Sequence, residues 1–212
     1  MSNIISKFLL EFLFSITDNG KLITLFISMF PLIELKGAIP IGMLLKEDLL
    51  TSALLSYVGS TIICIPIFFL LIPIFNLLKK IKFIKNLVIK IENVFKEKAE
   101  KLAEKSNGQA EDIKIKFLKT ALFIFVAIPF PVTGIWTGTA IAVFVGLKFK
   151  DSFLPLILGN LVAGTIITLL TFLFKDYVDL IILILFIIAI IMLFVFIYKI
   201  IKAKPDNSNN TK

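Results

Sequence analysis

Two charged side chains stand inside an otherwise apolar segment of this chain. Glu34 and Lys36 lie two residues apart in FISMFPLIELKGAIPIGMLL, between Pro31 and Gly37. A charged carboxylate at the centre of a bilayer costs roughly 2.5–3.5 kcal/mol on insertion scales, so it is usually paired, protonated or in contact with water. Glu34 is therefore a candidate for coupling to protons or cations, or for binding a cationic group. The alternative is a shallow position where it meets only water or Lys36.

Lys36 is the second candidate. Residues two apart do not share a helix face, but in a non-helical segment Lys36 could still pair with Glu34. It could also bind an anionic lipid headgroup. Glu11, the other acid in an apolar stretch, is better explained as the polar side of a short interfacial helix.

A second polar interruption, PFPVTGIWTG at residues 129–138, contains no charge. Its candidates are Thr133, Gly134, Trp136 and Thr137, because hydroxyls and freed backbone amides at the ends of half-helices can bind ions. Trp136 is equally typical of an anchor at the membrane interface. Small residues also recur at intervals of four, which indicates close helix packing: Gly134, Gly138, Ala142 and Gly146.

The remaining residue types argue against catalysis. The chain has no histidine and a single cysteine, Cys64, so an internal disulfide is impossible and no zinc, iron–sulfur or other metal site is expected. There is no Gly-rich phosphate loop and no paired-carboxylate cluster. We expect no enzyme activity and no cofactor. Asn160, inside a later apolar run, is expected to hydrogen-bond one of the polar interruptions.

Composition places these residues in a membrane. The chain has 212 residues, of which 58% are hydrophobic and 18% charged, with a mean hydropathy of +0.98. Soluble domains are usually about half apolar and about a quarter charged. Apolar stretches of about twenty residues can cross a hydrocarbon core of ~30 Å. We therefore predict an all-α polytopic membrane protein.

The chain divides into eight segments by apolar runs, breakers and charge. The prolines and glycines within residues 21–45 and 117–147 predict two broken hairpins instead of continuous helices. Apolar residues at helical intervals, with lysines and glutamates between them, predict an amphipathic helix at 76–105, which lies on the anionic leaflet or forms a coiled coil. The predicted segments are a short or interfacial helix at 1–20, hairpin 21–45, span 49–74, amphipathic helix 76–105, hairpin 117–147, spans 151–174 and 177–201, and a disordered tail at 202–212.

The lysines predict the orientation. The net charge is +8, and twelve lysines lie between residues 79 and 119, with four more from 199 to 212. The positive-inside rule makes both regions cytoplasmic, which places the C-terminus on the cytoplasmic side of the plasma membrane. The anionic partner of these lysines is then the lipid headgroup surface and not nucleic acid. For the charges to agree, segments 21–45 and 117–147 must each enter and leave on one side, as re-entrant hairpins do.

The two halves match at a spacing of 104 residues. Residues 42–63 align without gaps on residues 146–167, with these pairs in register: Gly42 with Gly146, Lys46 with Lys150, Glu47 with Asp151, and Thr61 with Thr165. Each unit would be a broken hairpin followed by a span, and one crossing between them would invert the second unit. Inverted repeats with discontinuous helices are common in secondary transporters.

The two interruptions carry a family resemblance. PLIELKGAIPIG (31–42) followed by PFPVTGIWTG (129–138) resembles the paired motifs of the small multidrug export family of prokaryotic membrane proteins. That family is similar to the DedA (VTT-domain) superfamily, whose members have two facing re-entrant hairpins and are implicated in lipid or lipid-carrier translocation. The resemblance implies that Glu34 is the hairpin carboxylate. It does not extend to the arginines of the DedA second hairpin, where this chain has Thr133 and Trp136.

The sequence therefore predicts a transporter-like protein, a small-molecule exporter whose opposed hairpins form a midplane cavity, with Glu34 as a proton-coupled group. One alternative is a lipid or lipid-carrier translocase, which needs a groove open to the membrane. Another is a scaffold that acts through residues 76–105. The expected partners are membrane lipids, protons and a small-molecule or lipid substrate, and a homodimer is left open.

Overall fold

The part of the chain that the computed structural model describes consists of helices joined by turns, with no strands. The described residues are 11–12, 14–15, 17–31, 33–104, 111–130 and 133–202. Most of the predicted N-terminal helix and nearly all of the predicted tail lie outside these residues, as does Pro131.

Eight α-helices lie in the described part of the chain. They are α1 (Gly20–Ile27), α2 (Glu34–Leu44), α3 (Leu49–Leu78), α4 (Lys85–Glu104), α5 (Glu111–Ala127), α6 (Ile135–Phe144), α7 (Phe149–Leu173) and α8 (Val178–Lys202), with a 3-10 turn at Lys175–Tyr177. The all-α prediction is confirmed for these residues.

Three of the described helices are long and apolar enough to cross a membrane: Leu49–Leu78, Phe149–Leu173 and Leu180–Lys202. They overlap the segments predicted as spans. The helix α3 has 30 residues, or ~45 Å at ~1.5 Å per residue, and it contains Pro66 and Pro73. It also continues four residues past its predicted end.

The amphipathic helix was predicted to begin at residue 76, and the structure corrects this. The chain turns between Lys79 and Ile84, and α4 begins at Lys85. The helical periodicity runs through this turn, which is why the pattern did not reveal it. Phe95 of α4 lies against Phe144 and Phe196 of the same chain, at ring-centroid distances of 6.0 and 6.3 Å.

One ion pair joins α4 to the end of α3, and a second lies within α4. Glu92 contacts Lys79 and Lys96, with nitrogen–oxygen distances of 2.5 and 2.9 Å. Partial burial raises the pKa of Glu92, but the two lysines outweigh this and hold that pKa below its usual range. The turn and the start of α4 are therefore fastened to the adjoining span.

The two proline-broken segments each contain two helices that contact each other. The helices α1 and α2 have 8 and 11 residues, which is ~12 and ~17 Å and less than the ~30 Å of a hydrocarbon core. A Cβ atom at Gly20 would lie 3.3 Å from the carbonyl oxygen of Leu45, so the start of α1 lies beside the end of α2. In the second segment, Gly138 of α6 packs closely against Val126 of α5.

The ends of α2 and α6 have the same turn. The residue after each C-cap is left-handed, Lys46 at φ 65° and Gly146 at φ 81°. In both turns the next N–H donates to a carbonyl five residues back, from Glu47 to Gly42 and from Leu147 to Ala142. These features match at a spacing of 100 residues, not 104. A shift of four residues is close to one helical turn and keeps the same face, so the apolar patterns agree almost as well at either spacing.

Candidate functional site

The tips of the two broken segments meet, and they are joined by the charged residues of the first. One carboxylate oxygen of Glu34, Oε1, accepts a hydrogen bond from the backbone N–H of Trp136 at 3.1 Å. The Lys36 Nζ donates to the carbonyl oxygen of Phe130 at 2.7 Å. Only 3% of Glu34 and 4% of Lys36 is exposed, so both charges are held inside the contact between the tips.

Glu34 caps the start of α6 from another segment. The N-cap residue of α6 is Gly134, which makes no side-chain cap hydrogen bond, and Trp136 is the second residue of the helix. The first N–H groups of a helix have no partner within the helix and carry a partial positive charge, which favours a carboxylate. A Cβ atom at Gly134 would overlap the Glu34 carboxylate, so glycine is what permits this approach.

Lys36 contacts a backbone carbonyl of the second tip. The carbonyl of Phe130, which accepts the Lys36 hydrogen bond, lies three residues beyond Ala127, the last residue of α5. The Thr133 hydroxyl, which has one proton to donate, lies within hydrogen-bond distance of both the same carbonyl oxygen (2.7 Å) and that of Ile128 (2.8 Å). Lys36 Nζ also lies 3.6 Å from Glu34 Oε2. Each buried charge thus has the other charge and a backbone group of the second tip as partners.

The backbone of the first tip is strained at the carboxylate. Glu34 has φ 49°, in the left-handed region that costs a non-glycine residue roughly 1–2 kcal/mol. Six residues later, Pro40 lies inside α2 and has no N–H for the carbonyl of Lys36. Strain of this kind persists only where surrounding contacts fix the conformation, and it is common at functional sites.

The other candidates take different places. The indole Nε1 of Trp136 donates to the carbonyl of Met29 at 2.9 Å and so adds a third link between the tips. Thr137 is buried in the first turn of α6, and Thr133 serves the turn before that helix. Sequence reasoning missed Met29 and Phe130 because they contribute backbone carbonyls, which have no side-chain signature. It also missed Thr139, whose hydroxyl lies 3.3 Å from Cys64 Sγ.

Asn160 lies apart from this cluster. Its side-chain nitrogen donates to Ser60 Oγ at 2.8 Å and to Thr61 Oγ1 at 3.3 Å. It therefore joins α7 to α3, and the expectation that it bonds one of the polar interruptions is wrong. Ser60 and Asn160 are themselves 100 residues apart, which is the spacing of the matching turns.

A cavity of about 490 Å³ lies beside the charged pair. The sequence predicts a cavity between the two tips, and this cavity lies elsewhere. It lies between the first tip and α8, whereas the two tips contact each other directly. Glu34 and Lys36 are among its lining residues, and the other lining residues are apolar, including Phe30, Ile33, Phe186 and Ala189. In the described part of the chain, no cluster of three acidic or cysteine side chains could hold a metal ion.

Comparison with known families bears on this region. A family model described as "Putative small multi-drug export protein" matches residues 34–166, which is more than half of the chain. The match includes the whole of α2 and α6 and most of α7, and with them both charges and Trp136. The helices α1 and α8 lie outside it. No curated protein and no solved structure matched the chain.

Proposed function

The chain belongs to the small multi-drug export protein family, and we propose that it is a membrane transporter that exports small molecules, with Glu34 as a proton-coupled group. The observation that carries this proposal is the position of Glu34. Its buried carboxylate bonds the start of α6, and its Lys36 neighbour bonds the carbonyl of Phe130. Transport, and not a chemical reaction, is the proposed activity.

Protonation of Glu34 would weaken the contact between the tips. A neutral carboxyl group is a poorer partner for the positive end of α6 and gives Lys36 no counter-charge. Because a buried unpaired charge is costly, the tips would then separate or rearrange. Proton binding on one side of the membrane and release on the other would thus couple the proton gradient to movement of the hairpins.

We expect export to depend on the proton gradient. Cells that overproduce the chain should accumulate less of at least some dyes in a panel of lipophilic fluorescent dyes than cells with an empty vector. A protonophore should remove most of this difference, because protonation of Glu34 would no longer be driven from one side. Equal accumulation across the panel, or a difference that survives the protonophore, would contradict proton-coupled export.

We also propose an inverted repeat of two re-entrant hairpins in the plasma membrane, with a cytoplasmic C-terminus. Three observations support it: the helices α1, α2 and α6 are too short to cross, the ends of the first segment lie side by side, and matching turns follow α2 and α6. In this arrangement the turn at 45–48 is outside and the turn at 145–148 inside.

This topology predicts opposite labelling of two single cysteines in a Cys64→Ser background. Glu47→Cys should react with a membrane-impermeant thiol reagent on intact cells, whereas Lys148→Cys should react only after permeabilisation. Gly134 is unsuitable as a reporter because its substitution would displace Glu34. Labelling of both positions from the same side would exclude the inverted repeat.

A lipid or lipid-carrier translocase is a second candidate, favoured by the cavity beside α8. Such an activity needs a groove that reaches the bilayer, and Phe186 in the cavity wall is 50% exposed. Purified protein in liposomes would then move fluorescent phospholipids between leaflets without any soluble substrate. Dye export without lipid movement would favour the first proposal.

A further inference from the structure

The helix α8 is fastened at both ends but not in its middle. Near its start, Val178 and Ile182 pack into an apolar cluster with the first hairpin. Near its end, the carbonyl of Ile201 accepts a hydrogen bond from Lys90 at 3.1 Å, and Phe196 contacts Phe95. Between these contacts, the middle of α8 passes over the first tip and leaves the cavity of about 490 Å³ beneath it.

The smallest side chain that α8 contributes to the lining of this cavity is an alanine. Between residues 178 and 202 the sequence contains a single alanine and no glycine, and that alanine, Ala189, lines the cavity. Its neighbours along the cavity wall are large side chains of α8, including Phe186, Ile190 and Leu193, which are 50%, 37% and 37% exposed. The cavity therefore reaches the surface of α8 that faces lipid once this span lies in a membrane.

Water is a poor occupant for such a space. A buried water needs two to four polar partners, and apolar cavities remain dry. The charged groups of Glu34 and Lys36 already form hydrogen bonds with the second tip and are almost fully buried. An empty cavity would forfeit the dispersion contacts of its walls. Hydrocarbon from the bilayer can restore these contacts without leaving a polar group unpaired.

We propose that in the membrane this cavity holds the hydrocarbon chain of a bilayer lipid, which enters beside the middle of α8. A transported ligand must then displace that chain, so it is lipophilic and reaches the site from the bilayer and not from water. This conclusion about substrates rests on the proposed function, whereas the occupancy of the cavity does not. Ala189 is the position that sets how much room the ligand has.

Nitroxide labels test the occupancy directly. Ala189→Cys and, separately, Leu193→Cys would be made in a Cys64→Ser background. Each variant would be labelled with a nitroxide and reconstituted in phosphatidylcholine vesicles. Collision with oxygen, which concentrates in hydrocarbon, would be compared with collision with a water-soluble nickel chelate. Labels at Ile187, on the exposed side of α8, and at Lys148, in the exposed turn, give the lipid and water references.

We expect both cavity labels to match Ile187, with high oxygen and low nickel accessibility. Nickel accessibility near that of Lys148 would show a water-filled cavity, and low accessibility to both reagents would show a closed one. Either result overturns the proposal, whether or not the chain exports dyes.

The substrate conclusion has its own arm. Ala189→Phe should lower export of lipophilic dyes at least fivefold, whereas Ile187→Phe should not change it. Equal export by the two variants would overturn lateral entry through this cavity. It would leave proton-coupled export intact, because the response to a protonophore is measured separately.

Discussion

Replacing Glu34 with glutamine is expected to lower dye export at least tenfold and to destabilise the protein, as is replacing Lys36 with methionine. Each change leaves the other buried charge without its counter-charge. Breaking a buried ion pair from one side costs about 3–5 kcal/mol, whereas replacing both partners with groups of similar size is often neutral. The double variant Glu34→Gln/Lys36→Met should therefore regain most of the lost stability and still fail to export.

This pattern separates a structural role from a functional one. Thermal unfolding in detergent would report stability, and dye export would be normalised to the amount of protein in the membrane. The exposed pair Glu97–Lys101, neutralised in the same way, is a matched control that should change stability by no more than about 0.5 kcal/mol. A double variant that still exports would exclude Glu34 as the proton-coupled group. An unaffected Glu34→Gln variant would mean that the carboxylate is not part of the contact between the tips.

The unusual residues were predictable, but their partners were not. The insertion cost of a charge inside an apolar, proline-broken segment was enough to select Glu34 and Lys36. Their partners are the N–H of Trp136 and the carbonyl of Phe130. Every residue except proline has both a backbone N–H and a backbone carbonyl, so residue type gives no signal. A sequence cannot show which backbone groups face Glu34 and Lys36 until the ends of α5 and α6 and the turn between them are known.

The spacing of the matching turns and the position of the cavity could not be predicted from the sequence, for related reasons. In apolar helices, leucines and glycines recur at helical intervals, so sliding one segment by a turn preserves most matches, and spacings of 100 and 104 residues look alike. The turns after α2 and α6 match at 100 residues, because the left-handed residue occurs once in each. The cavity is lined by Ala189, which lies within a long run of large apolar residues. Nothing in that run shows which face of α8 lies against the first tip.

Adding one methyl group at Gly134 is expected to reproduce the effect of removing the Glu34 charge. Gly134 has φ −90° and ψ −161°, an extended conformation that alanine adopts freely, so the backbone itself gives no reason for a glycine. The new Cβ would instead overlap the Glu34 carboxylate and force it away from the N–H of Trp136. We expect Gly134→Ala to lower dye export at least tenfold and to destabilise the protein by about 1–3 kcal/mol, the usual cost of overpacking.

A double-mutant cycle shows whether this effect acts through the carboxylate. In a Glu34→Ala background the shorter side chain leaves room, so Gly134→Ala should cost little further stability, and the coupling energy should be about 1–3 kcal/mol. Gly164→Ala is the control for overpacking without a charge, since its Cβ would meet the apolar Leu35 side chain, with Cδ1 at 2.7 Å. Additive effects of the two changes would mean that glycine serves the chain path at this position. Strong coupling would mean that Gly134 is present because a carboxylate from the other hairpin must cap α6.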